Sequence, residues 1–106
     1  MKRLLAVSAA LLLAAGTAAQ PKVIAHRGYW QHPGSAQNSL ASLAKADSIG
    51  CYGSEFDVWM TADKRLVVNH DRTYRGTDIR MDEARASLVT AIVLPNGERI
   101  PTLDAY

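Results

Sequence analysis

Three small groups of residues in this chain are of types and spacings that do chemistry. Glu55 and Asp57 stand two apart in an alternating run. On a strand, that spacing puts both carboxylates on one face, with Cα atoms about 6.6 Å apart. Two anions on a face shared with Trp59 are costly unless a cation or donors neutralise them, and an all-oxygen pair suits a hard ion such as Ca²⁺ or Mg²⁺. The alternative is a solvated outer face. His70 is the second group: if the following strand folds back with Thr61 opposite Leu66, His70 lies directly opposite Asp57, within side-chain reach. A register slip or bulge would move it away, leaving a structural histidine. The third group is His26-Arg27-Gly28. It joins a proton carrier, a guanidinium that forks onto phosphate oxygens and a residue that lets the backbone turn tightly.

These residues need elements to hold them. Residues 22–26 form a short apolar, β-branched run that predicts a buried strand ending at His26. A loop with Gly28, Pro33 and Gly34 follows. Asn38 or Ser39 then caps a helix with apolar positions Leu40, Leu43, Ala44, Ala46 and Ile49, closed by Gly50. Residues 54–61 predict a second strand and Leu66 to His70 a third. Strand, helix, strand suggests a βαβ unit, and hence an α/β fold with a parallel sheet, whose strand C-termini build sites. The link from Thr61 to Leu66 is too short for a parallel crossover, so it predicts an antiparallel hairpin turning at residues 62–65. Further on, residues 81–94 are a candidate helix, Pro95-Asn96-Gly97 a turn, and Pro101-Thr102-Leu103 the cap of another helix. His32 is expected exposed in its loop, and Cys51, the single cysteine, as a small buried residue.

The N-terminus is different in kind. Lys2 and Arg3 precede Leu4 to Ala19, in which 13 of 16 residues are apolar, and the exit is small (Gly16, Thr17, Ala18, Ala19). This describes a secretory signal peptide over residues 1–19 and an exported protein, periplasmic or secreted. Sixteen residues are short of the roughly 20 that span a bilayer. Without residues 1–19, Lys+Arg falls from 12 to 10 and matches the 10 Asp+Glu, so no basic surface argues for nucleic acid or anionic membrane.

Taken in order, the motifs resemble the glycerophosphodiester phosphodiesterase family. Its strand-end His-Arg-Gly is similar to His26-Arg27-Gly28. Its Glu-x-Asp pair is similar to Glu55-Phe56-Asp57, with a Thr and an Asp that match Thr61 and Asp63. Its Val-Val-x-His-Asp is similar to Val67-Val68-Asn69-His70-Asp71, and its Ile-Pro-Thr-Leu-Glu to Ile100-Pro101-Thr102-Leu103-Asp104. One departure stands out. Where the family reads Pro-Glu-Asn-Thr, this chain reads Ala36-Gln37-Asn38-Ser39, so an amide replaces a carboxylate. Its oxygen still accepts a hydrogen bond, so a role in orienting Arg27 or the substrate survives the change, whereas a charge-dependent role does not.

The resemblance implies the N-terminal portion of a (β/α)₈ TIM-type barrel of the phospholipase C-like phosphodiesterase kind, spanning residues 20–106. A whole barrel takes about 250 residues, so the piece is expected to be incomplete and inactive alone. It further implies hydrolysis of a glycerophosphodiester to glycerol 3-phosphate and an alcohol. A divalent cation, Ca²⁺ or Mg²⁺, would be held by Glu55, Asp57 and a carboxylate from a later strand. His26 and His70 would be the general acid and base, and Arg27 would meet the phosphate. The competing readings are a related exported phospholipase acting on lysophospholipids, and a non-catalytic phosphate- or metal-binding protein.

Overall fold

The computed structural model describes residues 19–106. The leader expected over residues 1–19 lies, Ala19 apart, outside the described residues. Among these, no helix is long and apolar enough to cross a membrane. The elements are β1 (Ile24–His26), α1 (Leu40–Ser48), β2 (Gly53–Glu55), β3 (Val58–Met60), β4 (Leu66–Val68) and α2 (Ala86–Val89). β1 and β2 pair in parallel, His26 level with Glu55, and β3 and β4 pair antiparallel as a separate two-stranded sheet.

The βαβ unit follows from local signals. Ser39 caps α1: its extended backbone (φ −90°, ψ 160°) turns the hydroxyl to accept from Ser42 N at 3.0 Å. Gly50, at φ 75°, ends it. The amides of Gly50 and Cys51 return to the carbonyls of Asp47 and Ala46 at 3.0 and 3.1 Å, a Schellman closure. Of the apolar positions expected on α1, Ala46 is buried but Leu40 and Ile49 are exposed, and the other buried residue of the helix is the polar Ser42. The small side faces inward because the loop after β1 approaches closely, Tyr29 N donating to Ser42 O at 2.9 Å.

The single strand expected over residues 54–61 is two strands, broken at Phe56–Asp57. Its first half continues the parallel pair and its second half leaves to form the hairpin. The alternation survives the break: Glu55, Asp57 and Trp59 are half-buried, and Phe56, Val58 and Met60 exposed.

The hairpin register also differs from expectation, by one residue. Met60 pairs with Leu66 and Val58 with Val68, and Asp57 O accepts from Asn69 N at 3.0 Å, so Asn69 rather than His70 stands opposite Asp57. The turn is the cause. Thr61 N donates to Arg65 O at 2.8 Å around a three-residue loop, Ala62 to Lys64, whose last member sits at φ 65°. A loop of three ending in the left-handed region is a common hairpin closure, whereas the expected register required four.

Only four residues of the helix expected over 81–94 are helical. Beyond α2, Ile92 and Leu94 are buried and Val93 is exposed, the period of a strand, and Val93 bridges Arg99. Asn96 and Gly97 sit in the turn between them, where Gly97 N reaches Leu94 O at 2.9 Å. Thr102 opens a helical turn as expected, accepting from the amides of Ala105 and Tyr106. The hydrophobic core lies under the hairpin and consists of Ala36, Val67, Met81, Val89, Ile92, Leu94 and Ile100, flanked by Trp59 and Tyr74.

Asp63 fastens the hairpin tip to this layer. Its Oδ1 accepts from Thr61 Oγ1 at 2.6 Å and from Ala86 N, in the first turn of α2, at 2.9 Å. Both bonds favour the charged form and hold the carboxyl below its ordinary value of 3.8. A depressed folded pKa stabilises above the ordinary value, and that stability is lost as pH falls through the folded one. In thermal melts of the full gene product, Asp63→Asn is expected to lower Tm by about 2–4 °C at pH 7. The gap should shrink as pH drops below about 4. An equal gap at pH 3 and pH 7 would refute the assignment.

Candidate active site

The parallel pair brings two of the predicted groups together. With His26 and Glu55 level at the C-terminal ends of β1 and β2, His26 Nε2 stands 3.7 Å from Glu55 Oε2. The same oxygen accepts from Arg27 N at 3.1 Å. Arg27 has φ 58°, costly for a residue with a side chain. Asn38 has φ 56°, and its amide donates to Arg27 O at 3.0 Å, so the two strained residues are tied backbone to backbone. Gly28 follows at φ 77° and is buried against Ser42.

Asn38 is the functional candidate that motif reading assigned only to capping. It is 3% exposed, and its Nδ2 donates to Asp57 Oδ2 at 3.1 Å, while its Oδ1 is buried without a partner. Ser39 takes the cap, which releases Asn38 for Asp57. The only advance signal was two adjacent capping residues where a helix needs one. Gln37 accepts from Arg27 Nη1 at 2.7 Å, so the amide at this position does orient the guanidinium.

His70 does not join the carboxylates. Trp59 Nε1 donates to its carbonyl at 3.2 Å, and its Nδ1 pairs with Asp71 Oδ1 at 2.6 Å, a neighbour the motif contained but whose role was not anticipated. It lines an open cleft of about 960 Å³ together with Arg27, Gln37, Asn38, Asn69 and Asp71. His26 lines a smaller hollow of about 340 Å³ that also includes Cys51, which is half-buried rather than buried. Trp30 and Gln31 line both places, while Arg27 and Asn38 line His70's cleft and bond Glu55 and Asp57 from it. His32 is half-buried against Tyr29, not exposed.

Among the described residues no group of three or more His, Cys, Asp or Glu side chains converges as a metal-ligand set. The oxygens that are present do suit a hard cation. Glu55 and Asp57 each use one carboxylate oxygen on a described donor, and Asn38, whose Nδ2 bonds Asp57, carries an Oδ1 that is buried without a partner.

A sequence model described as the glycerophosphoryl diester phosphodiesterase family matches residues 26–97. A glycerophosphodiester phosphodiesterase of Caldanaerobacter subterraneus subsp. tengcongensis is 37% identical over an alignment of 92 residues that covers 76% of this chain and 37% of the relative. The crystal structure of a glycerophosphodiester phosphodiesterase from Parabacteroides distasonis superposes with TM-score 0.75 at 52% identity, over 80% of this chain and 35% of that one. That of the Thermotoga maritima enzyme superposes with TM-score 0.65 at 29% identity, over 82% and 38%. The chain thus spans little more than a third of these relatives, and its small sheets and few helices are part of a TIM-type barrel. It belongs to the glycerophosphoryl diester phosphodiesterase family.

Proposed function

We propose that the protein carrying this chain hydrolyses glycerophosphodiesters to glycerol 3-phosphate and an alcohol with the help of a divalent cation. The observation that supports this best is the gathering of His26, Arg27, Asn38, Glu55 and Asp57 at the C-terminal ends of a parallel strand pair. That is where barrel enzymes build their sites. The leader-like residues 1–19 support export.

In this reading Glu55 and Asp57 hold Ca²⁺ or Mg²⁺, with Asn38 Oδ1 within the same oxygen set. When bound, the ion supplies Lewis-acid stabilisation of phosphoryl charge. Arg27, braced by Gln37, offsets charge on the phosphoryl oxygens as it develops. His26 and His70 share the proton work. One takes the proton of the nucleophile as the bond to phosphorus forms, and the other gives one to the departing alkoxide as the P–O bond to the head group breaks.

The test is release of glycerol 3-phosphate from glycerophosphocholine by the full gene product with added Ca²⁺ or Mg²⁺, repeated with a chelator. Turnover is expected and the chelator should remove nearly all of it. A folded protein that hydrolyses lysophospholipid alone, or that binds phosphate and turns nothing over, would overturn the reading.

A further inference from the structure

The charge on the cleft wall is unbalanced in a way that bears on the second alcohol of the substrate. Residues 73–80 form a tight ribbon on one rim: Thr73 bridges Arg80, Tyr74 N donates to Ile79 O at 3.2 Å, and Thr77 Oγ1 donates to Tyr74 O at 2.8 Å. Tyr74 packs against the core, so the ribbon has a fixed seat. Three arginines lie on or beside it, and they are used differently. Arg72 bonds Asp82 at 2.9 Å and Glu83 at 3.0 Å, and Arg80 bonds Glu83 at 3.3 Å. Both are neutralised by acids that do not line the cleft. Arg75, at the ribbon's turn, lines the cleft and makes no ion pair with any described residue.

A second arginine lining the same cleft repeats the imbalance. Arg27 leans on the neutral Gln37 rather than on an acid, and its Nε is buried without a partner. Among the described residues the one carboxylate that lines the cleft, Asp71, pairs with His70 at 2.6 Å. Two arginines that pair with no described acid therefore line the same cleft, and among the described residues no carboxylate without a partner lines it to receive a cationic head group. A phosphodiester carries one negative charge, which Arg27 can meet; Arg75 is left to meet a second.

We infer that this cleft selects glycerophosphodiesters whose second alcohol bears a further anionic group, such as a phosphomonoester, and that Arg75 is the residue that recognises it. This rests on the proposed hydrolysis for its substrate class. The preference itself is a property of the cleft and can be measured without turnover.

The experiment uses the full gene product at low ionic strength. kcat/KM is compared for a glycerophosphodiester of inositol 4-phosphate and for that of unphosphorylated inositol, and the two free alcohols are titrated calorimetrically. Wild-type protein is expected to favour the phosphorylated member in both assays. Arg75→Glu should cut that preference roughly three- to tenfold, the scale of an exposed charge interaction. Raising salt to about 0.5 M should shrink the preference as screening shortens. If no diester is hydrolysed, the reaction fails while the titration still decides the preference. Equal binding of the two alcohols, or a preference untouched by Arg75→Glu, overturns the inference.

Discussion

Replacing His70 by alanine in the full gene product is expected to lower kcat for glycerophosphodiester hydrolysis by about 10²–10⁴, the usual worth of a positioned general acid or base. Divalent-cation affinity should stay within about twofold. The two halves of this expectation come from the same geometry. His70 makes no described contact with Glu55 or Asp57, which are held instead by Arg27 N and Asn38 Nδ2. Removing the imidazole therefore leaves the oxygen set as it is. The ring's Nδ1 is fixed by Asp71 at 2.6 Å, which leaves Nε2 as the nitrogen free to exchange a proton in the cleft. Rate measurements across pH add a check, because one limb of the wild-type profile should disappear in the variant. Calorimetric titration with Ca²⁺ supplies the control. Full activity would remove His70 from the proton chemistry, and loss of cation binding would mean that it serves the metal site instead.

The same residue shows what spacing conveys and what it does not. The Glu-x-Asp pair, the histidine after the third strand and the His-Arg-Gly corner were all legible, because period-two alternation and strand ends are local features of a sequence. So was the parallel pairing of β1 with β2, which follows from a helix of ordinary length between two short strands. The register of the β3–β4 hairpin was not legible, since it turns on whether Lys64 or Arg65 ends the loop. Lys64 adopts φ 65°, a choice no side chain in the turn announces. One residue of slip moved Asn69 into the seat expected for His70 and left the histidine to Asp71. The break at Phe56–Asp57 was hidden for a related reason: alternation reads alike on one strand or on two successive strands that keep their faces. Asn38 was missed because its composition signal belongs equally to a helix cap. Only its left-handed backbone and burial distinguish a residue aimed at Asp57. The helix expected over 81–94 shrinks to Ala86–Val89, and the expectation failed where Ile92 and Leu94 alternate instead of following a helical stripe.

Gly28→Ala is expected to be the most damaging small substitution in the described chain. Glycine is required here twice. Its φ of 77° lies where a Cβ is strained against its own backbone. An added methyl would also overlap the Ser42 hydroxyl and come within 2.5 Å of Ser42 Cβ and 2.7 Å of its backbone carbon. The hydroxyl could rotate away, but the backbone carbon belongs to α1 and moves only if the helix does. Overpacking of this kind costs about 1–3 kcal/mol. A left-handed non-glycine residue adds about 1–2 kcal/mol, so Tm should fall on the order of 5–15 °C. Displacing α1 also pulls on Tyr29 N, which donates to Ser42 O, and on the Arg27–Asn38 link. Cation affinity should therefore fall in whatever fraction still folds. Ser42→Gly placed on top of Gly28→Ala removes two of the three close contacts, and is expected to recover part of the lost Tm but not the part owed to φ. A Gly28→Ala protein that melts within a degree of the parent would show that β1 and α1 do not approach this closely. A double variant no more stable than the single would place the cost in the backbone conformation of residue 28 and in the remaining contact with the Ser42 backbone carbon.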